Sequence, residues 1–421
     1  MKVNILVLSD NLEYIKTLPD NSIDSIITDS PYGLSKKQYL LKILQAWLDH
    51  GYLEIKGSGF MGKKWDAFVP QPILWKECLR VLKPGGYLLS FFGTRTYQLG
   101  TLAIEIAGFE IRDMICWHYA SGFPKNLDIG KEIDKAAGAK RIIIGTNGSI
   151  PNHKGGKFNS VSVDGSHTRE ENFITQANTD DAKKWDGWGN ALKPATEPIC
   201  IARKPLEGTT IENILKWGTG GINIDGCRIA FTDEKDKKSA TFGTGINIKN
   251  GSFKEGYLQT EIKDIPADDK GRWPANVIFD DFMALKLDQQ SGTLTSGKPA
   301  GVKAGNNNNI FGQYAGGIPV TGYGDTGGAS RFFFCAKTST AERAGMTHPT
   351  IKPIKLMNYL VKMYTPPGGL VLDPHSGSGP TCEAALNNGM RYIGIDNDHI
   401  SHQEATDRLL HWNRNYIKDL L

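Results

Sequence analysis

Hydrophobic and polar positions near the start of the chain predict a strand, a helix and a second strand. An apolar run within residues 1–10 and the segment 22–29 both have the pattern of buried strands. Between them, apolar positions over residues 12–18 follow helical spacing, which stops near Pro19. This βαβ-like order predicts an α/β fold.

The same order recurs further along the chain. Helical spacing over residues 72–82 precedes the turn residues 83–86 and the apolar run 87–92. A further strand is predicted to begin near Ile111 and to end at Trp117 and His118. The first third of the chain is therefore predicted to alternate between strands and helices.

The alternation stops beyond about Asn126 and resumes near the C-terminus. Glycine, asparagine, serine and threonine accumulate between these points, and residues 291–330 contain eleven glycines. Regular structure is predicted again for residues 330–336, for a helix over about 354–364 and for a strand over 369–372.

The two α/β portions are predicted to form one domain that an insertion interrupts. The expected boundaries are 1–126 for the first part, 127–329 for the insertion and 330–421 for the second part. A chain of 421 residues, of which 39% are hydrophobic and 22% charged, is long enough for a core domain and a sizeable second one.

Charge and cysteine content narrow the class of protein. The formal net charge of +4 is compatible with a polyanionic partner, but the chain is less basic than small dedicated DNA-binding domains. No segment has the pattern of a membrane span, and the six cysteines include no C-x-x-C pair. Neither a metal site nor a disulfide framework is predicted, and a reducing cytoplasm is the expected location.

A glycine-rich loop follows the predicted strand that ends at Asp373. The loop covers residues 374–379, and Pro380 then begins a predicted helix. Glycine lets a ligand approach the backbone closely, and the amino end of a helix favours a negatively charged group. The loop is predicted to bind a nucleoside-like ligand, although such a loop on its own could also be an ordinary turn.

A second acidic residue supports the nucleoside prediction. Asp396 ends the next predicted strand, 23 positions after Asp373, where related folds use a carboxylate to bind ribose hydroxyls. Cys382 occupies the place of the third glycine in the dinucleotide fingerprint, which disfavours an NAD-dependent oxidoreductase.

The tetrapeptide Asp29-Ser30-Pro31-Tyr32 follows a predicted strand at the edge where α/β enzymes carry out chemistry. An exocyclic base amine is a poor nucleophile because its lone pair is delocalised into the ring. Asp29 and the backbone carbonyl of Ser30 can accept both N–H hydrogens and direct the lone pair toward an incoming methyl group. Pro31 would stiffen this arrangement, and Tyr32 would offer a face to a base rotated out of the duplex.

One alternative interpretation of this tetrapeptide stays open, and one other reaction is disfavoured. On its own it could be a surface turn. Methylation of a ring carbon would need an activated cysteine, and no cysteine lies near the tetrapeptide in the sequence.

Together these motifs resemble the amino-methyltransferase family of DNA methylases. The tetrapeptide is similar to the family's Asp/Asn/Ser-Pro-Pro-aromatic motif, residues 373–379 to Asp-Pro-Phe-x-Gly-Ser-Gly, and residues 348–353 to His-Pro-Thr-x-Lys-Pro. Because the catalytic motif precedes the cofactor loop, the chain resembles the permuted β class, particularly its phage and prophage members. Further similarity covers residues 121–125, 192–198, 203–205 and 331–334.

Three positions depart from the family pattern. Ser30 replaces a proline, His375 a phenylalanine and Pro380 a threonine. The first departure weakens the distinction between an adenine and a cytosine target, while the other two leave the cofactor assignment intact.

The resemblance implies a Rossmann-like S-adenosylmethionine-dependent methyltransferase fold, circularly permuted, with the insertion as a target-recognition domain. The residues that it implies for binding S-adenosylmethionine are Asp10, Asn11, His348, Thr350, Lys352, Asp373, Pro374, Ser376, Gly377, Ser378, Gly379 and Asp396. The motif that contains Lys352 is expected to lie against the methionine portion of the cofactor. For Asp10, the role of a helix N-cap is equally open.

The implied substrate is double-stranded DNA, and Asp29 favours the N6 amine of adenine over the N4 amine of cytosine. Three tryptophans of the insertion could contact bases, and four lysines after the catalytic strand could contact phosphates: Trp185, Trp188, Trp273, Lys36, Lys37, Lys63 and Lys64. His118 and Trp117 could help to enclose the rotated base. Packing residues and solvated lysines are the alternative interpretations.

The resemblance also allows a homodimer and places the protein in a bacterial or phage-infected cell. Two other functions stay open. One is methylation of RNA or of a protein glutamine, which uses related tetrapeptides. The other is DNA binding by a homologue that has lost catalysis.

Overall fold

The structure is a computed structural model that describes residues 1–33, 39–55, 66–120, 122, 126–146, 173–239, 269–295, 326–336 and 352–420. Within these ranges, nine strands form one sheet. In spatial order they are β1 (Ile5–Leu8), β13 (Arg391–Asp396), β12 (Leu370–Asp373), β2 (Ile23–Thr28), β3 (Leu82–Phe91), β7 (Thr196–Arg203), β4 (Glu110–His118), β8 (Val277–Asp280) and β11 (Phe334–Ala336). Strand β7 is antiparallel to both of its neighbours, whereas the other adjacent pairs in this sheet are parallel.

Among the described strands, two short antiparallel pairs lie outside the main sheet. They are β5 (Ile142–Thr146) with β6 (Phe173–Gln176), and β9 (Leu294–Thr295) with β10 (Thr326–Gly327).

The described helices are α1 (Asn11–Lys16), α2 (Leu40–His50), α3 (Pro72–Val81), α4 (Tyr97–Ile106), α5 (Ile129–Ala136), α6 (Asp180–Lys184), α7 (Thr210–Trp217), α8 (Glu234–Ser239), α9 (Asp281–Ser291), α10 (Ile354–Tyr364), α11 (Pro380–Asn387) and α12 (His399–Leu420). Short 3-10 helices cover Asp225–Cys227 and Ala329–Phe332. None of the helices in the described ranges combines the length and the hydropathy that crossing a bilayer requires.

Alternate residues of the central strands enter two hydrophobic cores, one on each face of the sheet. Ile27 and Leu89 pack in the core that includes residues of α10 and α11. Ile26 and Leu88 pack in the other core, which includes residues of α1, α2, α3 and α4. Because both faces are covered, every residue of β2 is buried, as expected for a parallel strand between two layers of helices. This arrangement confirms the predicted α/β, Rossmann-like fold.

Several predicted elements are confirmed, and one differs. The helices expected over 72–82 and 354–364 are α3 and α10. The turn expected at residues 83–86 is instead an irregular part of β3, where the register with β2 shifts between Ile23 and Ser25. Gly85 makes this possible with a φ of +75°, a value that side chains other than glycine rarely adopt.

The chain divides into two compact units, residues 1–120 with 196–421 and residues 121–195. This division differs from the predicted insertion of residues 127–329. Strand β7 lies inside the main sheet, hydrogen-bonded to β3 and β4, and β8 pairs with β4. The physical reason is the apolar run 199–202, which is buried on both faces of the sheet. Only the first part of the predicted insertion is a separate unit.

The smaller unit has its own polar centre. Asp134 of α5 is fully buried and accepts hydrogen bonds from the backbone N–H groups of Asn178 and Thr179, both at 3.0 Å. Its carboxylate also forms an ion pair with Arg141 at 3.2 Å. These contacts connect α5 to the segment that leads into α6.

The packing of β13 against α11 generates a stability prediction. A Cβ atom on Gly394 would lie 2.6 Å from the Sγ atom of buried Cys382 and 2.9 Å from Leu6. We expect Gly394→Ala to lower the free energy of unfolding by about 1–3 kcal/mol through overpacking. Urea denaturation measures this change. Gly221→Ala is the matched control, because its Cβ would meet Ile214 at an ordinary 3.6 Å. Equal stability of the two variants would contradict the packing described here.

Candidate functional site

Three acidic residues lie along one edge of the sheet. Strands β2, β12 and β13 are adjacent and parallel, so their carboxyl ends meet at the same edge. Asp373 and Asp396 are the last residues of β12 and β13, and Asp29 directly follows β2. The parallel pairing therefore brings the predicted catalytic carboxylate close to the predicted cofactor loop.

The glycine loop after β12 is held by hydrogen bonds to its backbone. The N–H of Gly377 donates to Asp396 Oδ2 at 2.9 Å, and Arg408 Nε donates to the carbonyl of Ser378 at 2.8 Å. Gly377 and Gly379 have φ values of +50° and +80°, which explains why glycine occupies both positions. Ser376 and Ser378 are buried. The loop thus has a defined shape at the amino end of α11.

Residues after β1 contact the same loop. Asn11 donates a side-chain hydrogen bond to the carbonyl of buried Pro374 at 3.1 Å. Asp10 is exposed and caps α1, since its Oδ1 accepts the N–H of Glu13 at 3.1 Å. The N-cap alternative for Asp10 is thereby confirmed, and its predicted contact with the cofactor stays a prediction.

Asp373 is a buried carboxyl group beneath the loop. It is 2% exposed and accepts the N–H of His375 at 3.1 Å. Burial raises the pKa of Asp373 to about 7, although hydrogen bonds from Thr381 and Thr28 act in the opposite direction. Burial also lowers the pKa of His375 to about 3, so this ring is neutral, and its Nδ1 lies 3.1 Å from Thr28 Oγ1. These hydrogen bonds connect the loop to the last residue of β2.

The predicted catalytic tetrapeptide is fixed by its neighbours. Ser30 Oγ donates to the carbonyl of Phe91 and accepts from Ser90 Oγ, both at 2.9 Å. The N–H groups of Tyr32 and Gly33 donate to Asp66 Oδ1 at 2.9 and 3.0 Å. The hydroxyl of Ser30 is thus engaged with β3, which leaves Asp29 as the side-chain acceptor of the tetrapeptide.

Two further contacts fix Tyr32 and the residue after it. Thr96 Oγ1 donates to the Tyr32 carbonyl at 2.6 Å. A Cβ on Gly33 would lie 2.7 Å from the backbone N of Val69, and Gly33 has a φ of +65°. The chain therefore needs glycine directly after Pro31 and Tyr32.

A buried lysine joins this carboxylate to a second one. Lys352 is 4% exposed, and its Nζ lies 2.6 Å from Asp29 Oδ2 and 3.2 Å from Glu197 Oε2. The Tyr32 hydroxyl lies 3.2 Å from Asp29 Oδ1, 2.9 Å from Glu197 Oε2 and 3.1 Å from Lys352 Nζ. We call these four side chains the Asp29 cluster.

Charges determine the protonation of the Asp29 cluster. Burial alone would lower the pKa of Lys352, but Asp29 and Glu197 outweigh it and raise the pKa to about 12. Burial, followed by the charges of Asp29 and Glu197, raises the pKa of Tyr32 well above its usual value. At neutral pH the cluster therefore contains an ammonium and a neutral phenol.

Some of the predicted site residues lie within the described part of the structure and others lie outside it. His348 and Thr350 lie outside the described residues, as do Lys36, Lys37, Lys63 and Lys64. The structure places Lys352, which was expected to bind the cofactor, beside Asp29.

Sequence reasoning missed Glu197, Asp66 and Thr96. The stretch 192–198 was similar to the family, but it carried no signal that assigned Glu197 a role. Asp66 and Thr96 do not belong to any of the sequence motifs described above. Their positions depend on chain folding that the pattern does not specify.

A comparison with protein families decides the class of the chain. Residues 23–407 match the family of N6 and N4 methyltransferases, which is described as DNA methylase. The chain belongs to this DNA methylase family. The predicted amino-methyltransferase family is thereby confirmed.

Individual relatives of this methylase chain match over parts of their length. The methylase YubD of Escherichia coli (strain K12) is 47% identical over 62 residues, which are 15% of this chain and 27% of YubD. The type II methyltransferase M.HindIII of Haemophilus influenzae is 26% identical over 243 residues, 52% of this chain and 65% of the relative. The chain thus spans less than two thirds of the length of these relatives.

One solved structure that matches this chain is that of the PvuII DNA methyltransferase, which is described as cytosine-N4-specific. It is 13% identical, with 95% of this chain and 84% of that chain covered, and the TM-score is 0.41. Similarity at this level supports no inference about the base that this methylase modifies.

The buried carboxyl of Asp373 predicts a pH dependence of stability. Its pKa of about 7 in the folded protein exceeds the ordinary value of 3.8. A carboxyl with a raised pKa holds its proton more tightly when folded, so its contribution is fully present below pH 3.8 and is lost as the pH rises through 7.

We expect Asp373→Asn, which mimics the protonated acid, to gain about 1–2 kcal/mol of unfolding free energy relative to the unaltered protein between pH 5.5 and pH 8. Denaturation of both proteins without cofactor at the two pH values measures this. A difference between the proteins that does not change with pH would contradict the assignment.

Proposed function

We propose that this protein transfers a methyl group from S-adenosylmethionine to the N6 amine of adenine in double-stranded DNA. The observation that carries the proposal is the position of Asp29, which follows β2 directly beside the strand that ends in the glycine loop. Membership of the DNA methylase family supports the same chemistry. A hydrogen-bond acceptor for an amine and a loop for a nucleoside are thus neighbours.

The chemistry of the loop fits the nucleoside part of S-adenosylmethionine. Asp396 offers a carboxylate at the end of β13 for ribose hydroxyls, and it is already hydrogen-bonded to Gly377 of the loop. We propose Asn11 and Asp10 for the adenine side of the pocket, by resemblance. When bound, the cofactor supplies an electrophilic methyl group.

Asp29 would activate the target amine. Its carboxylate would accept an N–H of the amine and localise the nitrogen lone pair toward the methyl group. Tyr32 is partly exposed, Asp66 and Thr96 hold its backbone, and Glu197 and Lys352 contact its hydroxyl, so its ring would offer a surface on which a base that has left the duplex can stack. Ser30 would contribute its backbone carbonyl and Pro31 a rigid turn.

Adenine is proposed over cytosine because the first residue of the tetrapeptide is Asp29. Ser30 makes the tetrapeptide a hybrid of the family patterns, so methylation of cytosine N4 is the second candidate. The Ser30 hydroxyl is buried and bonded to Phe91 and Ser90. It therefore offers the base no acceptor in place of Asp29.

We propose that residues within 127–329 recognise the target sequence. Trp185 and Trp188, in the smaller unit, form an edge-to-face pair with ring centroids 5.0 Å apart, and Trp188 is 58% exposed. Trp273 is also exposed and lies 5.3 Å from the guanidinium of Arg228. Exposed aromatic rings beside cations suit contacts to bases and phosphates.

We further propose that the protein acts in the cytoplasm of a bacterial or phage-infected cell, and that it forms a homodimer, as the resemblance allows. The proposal requires no metal ion.

Incubation with S-adenosylmethionine and unmethylated DNA, followed by digestion to nucleosides and mass spectrometry, tests the reaction. We expect N6-methyladenine from the unaltered protein and a loss of at least about 100-fold in rate for Asp29→Ala, because the amine loses its acceptor. N4-methylcytosine would keep the mechanism and overturn the base. The absence of any DNA methylation would favour an RNA or protein substrate or a catalytically silent homologue.

Binding of the cofactor gives a separate prediction. We expect Asp396→Ala to weaken S-adenosylmethionine binding about 10- to 100-fold, since a hydrogen bond to a charged group is lost. Isothermal titration calorimetry measures the dissociation constants. Asp29→Ala serves as the control, because it should bind the cofactor like the unaltered protein. If the Asp29 variant lost binding and the Asp396 variant kept it, the assigned roles would be reversed.

A further inference from the structure

Both oxygens of the proposed amine acceptor are already engaged in this structure. Asp29 Oδ2 contacts the Lys352 ammonium at 2.6 Å, and Oδ1 contacts the Tyr32 hydroxyl at 3.2 Å. A carboxylate has room for several donors, but the shortest contact here is with a full positive charge. A target amine that binds Asp29 must therefore compete with Lys352.

Glu197 provides an alternative partner for the ammonium. It lies in β7, opposite Trp117 of β4, and its Oε2 is 3.2 Å from Lys352 Nζ. Its side chain is 17% exposed, so it is mostly shielded from water. Lys352 can therefore shift from Asp29 to Glu197 over a short distance without leaving the cluster.

The burial of Lys352 makes this alternative partner necessary. An ammonium that is 4% exposed loses most of its hydration, and a buried charge without a counter-charge is strongly unfavourable. The pair Asp29 and Glu197 carries two formal negative charges against the one positive charge of Lys352. One carboxylate can thus hold the ammonium while the other accepts the amine.

On the basis of the proposed function, we propose that Glu197 is a positioning residue that takes over the Lys352 ammonium when the target amine binds Asp29. Glu197 then keeps the lysine paired during methyl transfer and leaves Asp29 free to orient the amine. Its effect on the reaction passes through Lys352 and does not require contact with the base. The negative charge of Glu197, rather than its shape, carries this role.

Glu197→Gln keeps the size of the side chain and removes the charge. We expect the single-turnover rate of DNA methylation, at saturating S-adenosylmethionine and DNA, to fall about 10- to 100-fold, because the ammonium stays on Asp29. The dissociation constant for S-adenosylmethionine should change by less than about twofold. A rate equal to that of the unaltered protein would overturn the inference.

Glu197→Asp separates charge from shape. Aspartate is shorter than glutamate but keeps the carboxylate, whereas glutamine keeps the shape. We expect the aspartate variant to be faster than the glutamine variant in the same assay. The reverse order would indicate a packing role and would overturn the inference.

Glu110→Gln is the matched control. Glu110 lies at the opposite end of the same strand pair, where it forms an ion pair with Arg203 at 2.7 Å. The methylation rate of this variant should equal that of the unaltered protein. If Glu110→Gln lowered the rate as much as Glu197→Gln does, the effect would come from disturbing the pairing of β4 with β7, and the inference would be overturned. If the unaltered protein methylates no DNA, the proposed function fails, and this inference fails with it. A normal rate for Glu197→Gln beside an active unaltered protein overturns the inference alone.

Discussion

Strand β12 lies between β2 and β13 and is parallel to both, and the rest of the site depends on this pairing. Parallel strands end at the same edge of the sheet, so acidic residues from N-terminal and C-terminal segments lie close together at that edge. Asp29 and Asp373 are far apart in the sequence. Asp29 nevertheless directly follows β2, and Asp373 is the last residue of the adjacent strand β12. The hydrogen bonds among Thr28, His375 and Asp373 then hold the two strand ends together.

Burial of charge is the second constraint on this site. Lys352 lies two residues before the start of α10 and places an ammonium between Asp29 and Glu197, where little water reaches it. In such a cluster the desolvation of each ion offsets the attraction between the ions. The cluster serves to position side chains, since it holds the lysine and the Tyr32 hydroxyl within hydrogen-bond reach of the carboxylate that would orient the amine.

Local sequence patterns predicted the helices and strands well. They did not predict which distant segments of the chain pair with one another. Helical spacing identified α10 with its observed bounds, and the strand, loop and helix around residues 370–387 follow from glycine and proline positions. The position of β7 was not predictable, because an apolar run does not specify which strands it will pair with. The position of Glu197, which lies in β7, was not predictable for the same reason.

The most direct measurement is a crystal structure of the protein with bound S-adenosylmethionine. We expect the ribose hydroxyls to contact Asp396, the nucleoside to lie over the loop of residues 374–379, and the methyl group to face the Asp29 cluster. A cofactor bound at another edge of the sheet, or with its methyl group directed away from Asp29, would show that the Asp29 cluster and the glycine loop do not form one active site.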